Sequence, residues 1–257
     1  MKLVAAATKA DATMIFPLIS CLMVTRGAIN PARFAIECYQ RQTHPQRELV
    51  IVTDTLSDAL HDHIRSLNDQ SIRVVDVSAA PLGELRNLSV KAARGALVAQ
   101  WDDDDLCHPE RLTRQYEALV AKGVEMIFLE RWIMWWPARR RLAISEKRPW
   151  EGTLLAKKDA LPAYPALSIG EDHAMLEEAA KTRSIGLLDH PELYCYVKHG
   201  ANTCPTTYFE QRFKLATRRS EFADYEPALA ALSMLPIRDY LAWVDPHSLT
   251  DDEKVAN

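Results

Sequence analysis

Four consecutive aspartates at 102–105 are the strongest chemical signal in the sequence. They follow ALVAQW at 96–101, an apolar segment of strand length, and they precede Pro109, a residue suited to the first turn of a helix. Neighbouring carboxylates repel each other by on the order of 1 kcal/mol even at a water-like dielectric, so the run favours a bound cation. Carboxylate oxygens suit Mg²⁺ or Mn²⁺, which proteins hold with one or two carboxylates and the phosphates of a substrate. The alternative interpretation is a solvated acidic loop in which Asp105 caps the next helix.

A second acidic element, Glu171 and Asp172 in GEDH, opens a predicted helix further along the chain. Acids in a first helical turn commonly do no more than complement the helix dipole. A carboxylate beside a metal-bound leaving group can instead act as a general base that takes a proton from an attacking hydroxyl. The pair therefore becomes a catalytic candidate only if it lies near the aspartate run.

Alternating strands and helices are predicted to position these acids. LISCLMV at 18–24 and ELVIVTD at 48–54 are continuous apolar runs, which is typical of parallel strands buried on both faces. Further strands at 72–78, 96–101 and 125–130 alternate with helical patterns, and this order predicts a doubly wound α/β sheet. Ligands bind beyond the carboxyl ends of the strands in such sheets, and the aspartate run lies at one of these ends.

The regular alternation stops after Glu130. Two strands are predicted around Pro137, then a helix opening at GEDH, then one or two strands within 184–200. Helices are predicted at 206–222, from the spacing of Phe209, Phe213 and Ala216, and near 226–243.

Composition excludes several classes of protein. The chain has 257 residues, 48% of them apolar, and its 31 basic and 35 acidic side chains give a net charge of -4. We therefore expect a globular fold and no nucleic-acid partner, since binding phosphate backbones calls for a basic excess.

The cysteines and the apolar runs bear on location. The five cysteines form no CxxC pair and the apolar runs are too short to cross a bilayer, so we expect a cytoplasmic protein. Peripheral contact with the inner face of the membrane stays open, and the sequence carries no indication of oligomeric state.

Five segments in order resemble the family 2 glycosyltransferases of the GT-A fold. They are PLISCLMVTRG, RQTHPQRELVIVTD, GELRNLSVKAARGALVAQWDDDDLCHPERL, GEDHAMLEEA and VKHGANT, and together they cover about residues 16–204. The resemblance implies a GT-A-like (Rossmann-like), mostly parallel central sheet flanked by helices, which forms a nucleotide-sugar-binding and catalytic domain at 15–205. The helical patterns that follow predict a short helical C-terminal extension at 206–257.

The resemblance also implies a reaction and its residues. The family transfers a sugar from a nucleotide-diphosphate sugar to an acceptor hydroxyl with inversion, using a divalent cation held by a DxD element. Asp172 matches the catalytic base, with Glu171 as its neighbour. The matches for Mn²⁺ or Mg²⁺ are Asp104, Asp102 and His199. The matches for the nucleotide sugar are Thr25, Arg26, Asp54, Arg86, Asn87, Asp102 and Asp103.

Two departures from the family pattern concern the nucleotide base. Thr25, Arg26 and Gly27 stand where relatives often carry Thr, Tyr and Asn, and Asp54 stands alone where two acids are common. We therefore expect base contacts of a different kind, and the identity of the donor does not carry over from the family. A UDP-sugar is the expected donor.

A segment rich in tryptophan and arginine, residues 131–150, is the candidate acceptor site. It holds six basic side chains and one acidic side chain, a local charge of +5 in a chain of -4. Sugar rings stack on aromatic faces, and the segment corresponds to the acceptor side of the resembled fold. The acceptor would be a glycan, a lipid-linked or another hydroxyl compound, contacted by Trp132, Trp135, Trp136 and Arg139. The alternatives are core aromatics with a solvated basic face, or docking on an anionic membrane.

Two other functions stay open. A nucleotidyltransferase also uses acids and a metal, although it would show a Gly-rich, basic phosphate loop, of which VTRGAINPAR is a poor version. The second is a non-catalytic nucleotide- or carbohydrate-binding module in which the acids hold a structural cation.

Overall fold

Two sheets organise residues 16–244, the part of the chain that the computed structural model describes. The strands are β1 (Ile19–Thr25), β2 (Arg47–Thr53), β3 (Ile72–Asp76), β4 (Leu97–Gln100), β5 (Leu106–Cys107), β6 (Met126–Leu129), β7 (Ile133–Trp136), β8 (Arg141–Ile144), β9 (Leu155–Lys157), β10 (Ile185–Leu188), β11 (Tyr194–Val197) and β12 (Arg218–Glu221). The helices are α1 (Ile29–Gln40), α2 (Asp58–Leu67), α3 (Leu82–Ala92), α4 (Arg111–Lys122), α5 (Glu171–Thr182), α6 (Thr206–Leu215), α7 (Tyr225–Ala230) and α8 (Ile237–Val244).

The larger sheet has the strand order β10-β6-β9-β4-β1-β2-β3. Its neighbours are parallel except at β9, which runs antiparallel between β4 and β6. The predicted α/β architecture, a central sheet flanked by helices, is confirmed, with a sheet that is mixed rather than wholly parallel. Both faces of β1 and β2 are buried, which is why these strands read as continuous apolar runs.

The smaller sheet has the order β12-β8-β7-β11-β5. It closes one side of the acidic loop, the four aspartates at 102–105. The two strands predicted around Pro137 are confirmed as β7 and β8, which pair antiparallel. β5 pairs antiparallel with β11, through Leu106 with Cys195 and Cys107 with Tyr194. The acidic loop at 102–105 therefore lies between β4 of the larger sheet and β5 of the smaller one.

The tryptophans of the proposed acceptor segment lie in the core. Trp132 and Trp135 are fully buried and Trp136 is 5% exposed, so their faces are not available to stack on a sugar from solvent. The acceptor prediction is wrong for these three residues, because composition alone does not distinguish buried from exposed rings. Arg139 is half exposed, lies 4.1 Å above the Trp136 ring and pairs with Glu210 at 2.9 Å. Its acceptor role stays a prediction.

The C-terminal part of the described chain differs from the sequence prediction. The helix expected at 206–222 ends at Leu215, and Arg218–Glu221 form β12, which pairs with β8 and is tied to it by a 2.8 Å ion pair between Arg141 and Glu221. The helix expected near 226–243 is divided into α7 and α8. The division into 15–205 and 206–257 stays a prediction, and residues 15 and 245–257 lie outside the described part.

No helix within residues 16–244 has both the length and the hydropathy needed to cross a bilayer.

Candidate functional site

The carboxyl ends of β1 and β4 border a cleft of about 350 Å³. It is lined on the β1 side by Thr25 and Arg26, and on other sides by Arg86 of α3, Ser168 and His199. The predicted acids Asp102, Asp103 and Asp104 line it as well. Parallel strands end at one edge of a sheet, so residues distant in sequence meet there, as expected for a ligand site in an α/β fold.

Asp105, the fourth aspartate, faces inward and anchors the acidic loop. Its side chain is 2% exposed, accepts a hydrogen bond from the Val197 backbone N–H at 2.8 Å and accepts another from the Tyr194 hydroxyl. Burial raises its pKa well above the ordinary value. The alternative in which Asp105 caps the next helix is wrong, because both of these partners lie on β11.

Tyr194 is thereby predicted to stabilise the folded protein. In Tyr194→Phe the buried Asp105 carboxyl loses a hydrogen bond, so we expect a loss of about 1–3 kcal/mol in the free energy of unfolding. Urea unfolding measures the change. Tyr116→Phe is the matched control, since the Tyr116 ring packs on Phe16 and His44, and it should cost far less. Equal losses in the two variants would contradict the anchoring role.

Asp102 is held at the rim of the cleft by three neighbours. Gln100 Nε2 donates to its Oδ1 at 2.7 Å, the Tyr194 hydroxyl lies 3.2 Å from its Oδ2, and the Arg86 Nη1 lies 3.5 Å from its Oδ1. Burial raises the pKa of Asp102, and the Arg86 charge opposes that rise. Gly152 packs closely against this carboxylate, because a Cβ on it would lie 2.7 Å from Asp102 Oδ2.

Asp103 is joined to the end of β1 by a hydrogen bond from the Thr25 side chain. Burial, with the negative charge of Asp104 as the next cause, raises the pKa of Asp103 to about 7. The acidic loop thus carries a carboxyl that ionises close to neutral pH in the metal-free protein.

This pKa predicts a pH dependence of stability. Between the ordinary aspartate pKa and about 7, folded Asp103 holds a proton that the unfolded chain has lost, so the free energy of unfolding falls as the pH rises. The side chain introduced by Asp103→Asn cannot ionise. The free energy of unfolding of this variant should therefore rise relative to that of wild type as the pH is raised from about 5 to about 8. Urea unfolding in EDTA at both pH values tests this. A difference between the two proteins that does not change with pH would contradict it.

Asp104 contacts the turn that follows β11. The His199 Nε2 lies 3.0 Å from Asp104 Oδ2, and Asn202 Nδ2 lies 3.4 Å from the same oxygen. The Ala201 backbone N–H donates to His199 Nδ1 at 3.2 Å, so the neutral ring carries its proton on Nε2 and donates it to Asp104. A metal bound at Nε2 would require the proton to move to Nδ1 and the Ala201 contact to break.

The predicted catalytic pair lies at the start of α5. Glu171 is 2% exposed, and Arg86 Nε donates to its Oε1 at 2.7 Å, so this carboxylate positions Arg86. Asp172 is more exposed, and burial raises its pKa while Arg86 opposes the rise. Arg86 therefore connects the acidic loop, through Asp102, with the helix that begins at Glu171.

Two predicted nucleotide contacts lie outside the lining of the cleft. Asp54 is half-buried at the end of β2 and accepts a hydrogen bond from the Thr55 hydroxyl at 3.3 Å. Asn87 is hydrogen-bonded to the backbone of Tyr164. Their roles toward a nucleotide stay predictions.

The donor set suits a hard divalent cation. The carboxylates of Asp102 and Asp104 face one cleft beside His199, and carboxylate oxygens suit Mn²⁺ and Mg²⁺. Within residues 16–244, no group of three or more His, Cys, Asp or Glu side chains forms a ready-made metal cage.

Sequence reasoning did not single out three supporting residues: Tyr194, Gly152 and Asn202. Asn202 Oδ1 accepts the His199 backbone N–H at 2.8 Å, and its amide donates to the Val197 carbonyl at 2.9 Å, which fixes the turn carrying His199. Asn202 lies within VKHGANT, one of the segments that carry the family resemblance. Nothing in the sequence around Tyr194 or Gly152 points to their roles, because their partners are far away along the chain.

Comparisons with known proteins agree with this fold. Residues 20–142 match the family model of glycosyl transferase family 2. Succinoglycan biosynthesis protein ExoO of Rhizobium meliloti is 34% identical over 94 residues, which cover 36% of this chain and 27% of that protein. The colanic acid biosynthesis glycosyl transferase WcaA of Escherichia coli, whose description is provisional, is 33% identical over 101 residues, covering 38% of this chain and 36% of that protein. The chain thus spans well under half the length of these relatives.

Solved structures give the same fold at low identity. S. aureus TarS 1-349 in complex with UDP-GlcNAc has a TM-score of 0.57 at 15% identity, covering 92% of this chain and 69% of that one. The mannosyltransferase PcManGT from Pyrobaculum calidifontis, in complex with GDP-Man and Mn²⁺, has a TM-score of 0.55 at 14% identity, covering 95% and 84%. The match to glycosyl transferase family 2 thus covers residues 20–142, a little under half of this chain, and the fold agrees with it.

Proposed function

We propose that this protein is an inverting glycosyltransferase that moves a sugar from a nucleotide-diphosphate sugar to an acceptor hydroxyl. The observation that carries the proposal is one cleft in which Asp102, Asp103 and Asp104 face Arg86 and His199. Arg86 in turn joins this cleft to the helix that presents Asp172. We expect the cleft to bind the diphosphate and the helix joined to it, α5, to supply the general base.

The acidic loop is proposed to bind the donor. Asp104 and Asp102 would hold Mn²⁺ or Mg²⁺ together with the diphosphate, and His199 would lie beside them. The ion would supply positive charge that stabilises the departing diphosphate. Arg86, a buried guanidinium whose pKa is raised by the surrounding carboxylates, stays charged and adds to that stabilisation. Thr25, Arg26 and Asp54 would contact the nucleoside, and Asp103 or Asp102 the ribose.

The acceptor hydroxyl is proposed to lose its proton to Asp172. Its oxygen then forms a bond to the anomeric carbon while the bond from that carbon to the diphosphate oxygen breaks. The electron pair and the negative charge leave with the nucleoside diphosphate. Attack opposite the leaving group inverts the anomeric centre, and no enzyme nucleophile is needed.

Partners follow from this proposal. TarS was solved with UDP-GlcNAc and PcManGT with GDP-Man, so nucleotide sugars of both bases are candidates, with a UDP-sugar preferred. The acceptor is a glycan, a lipid-linked or another hydroxyl compound. The cytoplasmic location and contact with the inner face of the membrane stay predictions.

Product analysis tests the proposal. The protein is incubated with UDP- and GDP-sugars, Mn²⁺ and a panel of hydroxyl acceptors, and NMR reports the anomeric configuration of the new glycoside. We expect inversion. Retention would contradict the single-displacement mechanism, and pyrophosphate release from a nucleoside triphosphate and a sugar phosphate would favour the nucleotidyltransferase.

A further inference from the structure

The loop between β9 and α5, residues 161–170, lies against α3. Asn87 Nδ2 donates to the Tyr164 carbonyl at 2.8 Å, and the Tyr164 backbone N–H donates to Asn87 Oδ1 at 2.9 Å. Both halves of the Asn87 amide are therefore engaged with one residue of the loop. Tyr164 is itself only 4% exposed, so this contact is sheltered from water.

Gly83, one turn earlier on α3, allows the loop to approach the helix backbone. Its N–H donates to the Leu167 carbonyl at 2.9 Å. A Cβ on Gly83 would lie 1.8 Å from the Pro165 carbonyl oxygen and 3.2 Å from Glu171 Cβ. A side chain at this position would push the loop and the start of α5 away from α3.

Arg86 completes the contact. Positions 86 and 87 lie three and four residues beyond Gly83, so both are neighbours of Gly83 on one side of the helix. From that side Arg86 donates to Glu171 at 2.7 Å and lies 5.9 Å from the centre of the Tyr164 ring. Three residues of α3 thus hold the loop and the first residue of α5 together.

We propose that this face of α3 is a clamp that sets the position of Asp172, and that Asn87 is a positioning residue rather than a nucleotide contact. The inference rests on the proposed function, because it depends on Asp172 acting as the base. It departs from the role that the family resemblance implies for Asn87, since the Asn87 amide is already engaged with Tyr164 and lies outside the lining of the cleft.

Asn87→Ala tests the clamp against Lys91→Ala, an exposed position on the same helix. Hydrogen exchange of residues 161–173, the Kd for UDP and for GDP with Mn²⁺, and kcat with KM for transfer are measured. We expect about tenfold faster exchange and a kcat lowered by about 10- to 100-fold, since small misplacements of a reacting group are costly. The Kd values should stay within about threefold of wild type, as they do in Lys91→Ala.

Asn87→Asp keeps the acceptor for the Tyr164 N–H and loses the donor, so its exchange rate should lie between those of wild type and Asn87→Ala. It also serves if the alanine variant does not fold. Unchanged exchange in 161–173, or a raised Kd with unchanged kcat, would overturn the clamp. Absence of transfer by wild type would instead refute the proposed function, while the exchange measurement would still decide whether Asn87 holds the loop.

Discussion

Asp172→Asn is expected to lower kcat by about 10²- to 10⁴-fold, the usual contribution of a general base. The amide keeps the shape of the side chain but cannot accept the proton of the acceptor hydroxyl at neutral pH. The nucleotide contacts proposed here come from the acidic loop and the β1 end, so nucleotide affinity should be preserved. Steady-state kinetics together with calorimetric titration of the nucleotide separates the two effects.

Glu178→Gln is the matched control for this substitution. Glu178 is an exposed carboxylate on the same helix, so the change in charge is the same while the cleft is untouched. The control should retain wild-type kinetics. Normal transfer by Asp172→Asn would show that another group takes the proton and that the proposed mechanism is wrong.

Asp104→Asn is expected to remove the metal dependence of nucleotide binding. An amide oxygen carries no net charge and is a much weaker ligand for Mn²⁺ than a carboxylate. Ligand binding to the folded state stabilises it by mass action, so a nucleotide at about 100 times its Kd adds about 2.7 kcal/mol to wild type. In Asp104→Asn we expect most of the Mn²⁺-dependent part of that stabilisation to disappear in thermal unfolding experiments.

Asp159→Asn provides the comparison for Asp104→Asn. Asp159 is exposed just beyond β9, whose end pairs with the amino-terminal end of β4, so it lies at the opposite edge of the sheet. It should keep the full stabilisation by nucleotide and Mn²⁺. A similar loss in both variants would point to a general effect of charge rather than to a metal ligand.

The architecture was predictable from the sequence because buried parallel strands appear in it as continuous runs of apolar residues. Such runs predict β1, β2 and the strand before the acidic loop, and their meeting at one sheet edge follows from parallel strand direction. The assignments to Asp172 and Asp104 came from the resemblance and stay predictions.

Contacts between residues distant in the chain were not predictable. The sequence neighbours of Asp105 suggest a helix cap, yet its partner Tyr194 is 89 residues away. The tryptophans at 132–136 looked like a stacking surface because aromatic composition is the same in a core and in a binding site. Arg218–Glu221 carry little strand propensity, and the edge of β8 recruits them into the sheet.

Calorimetric titration of the wild-type protein with UDP and with GDP, in Mn²⁺ and in EDTA, is the most direct test of the nucleotide-sugar site. We predict that at least one of the two nucleotides binds in Mn²⁺ and that EDTA weakens its binding. No binding of either nucleotide in the presence of Mn²⁺ would contradict the assignment of the acidic loop to a metal-bound diphosphate.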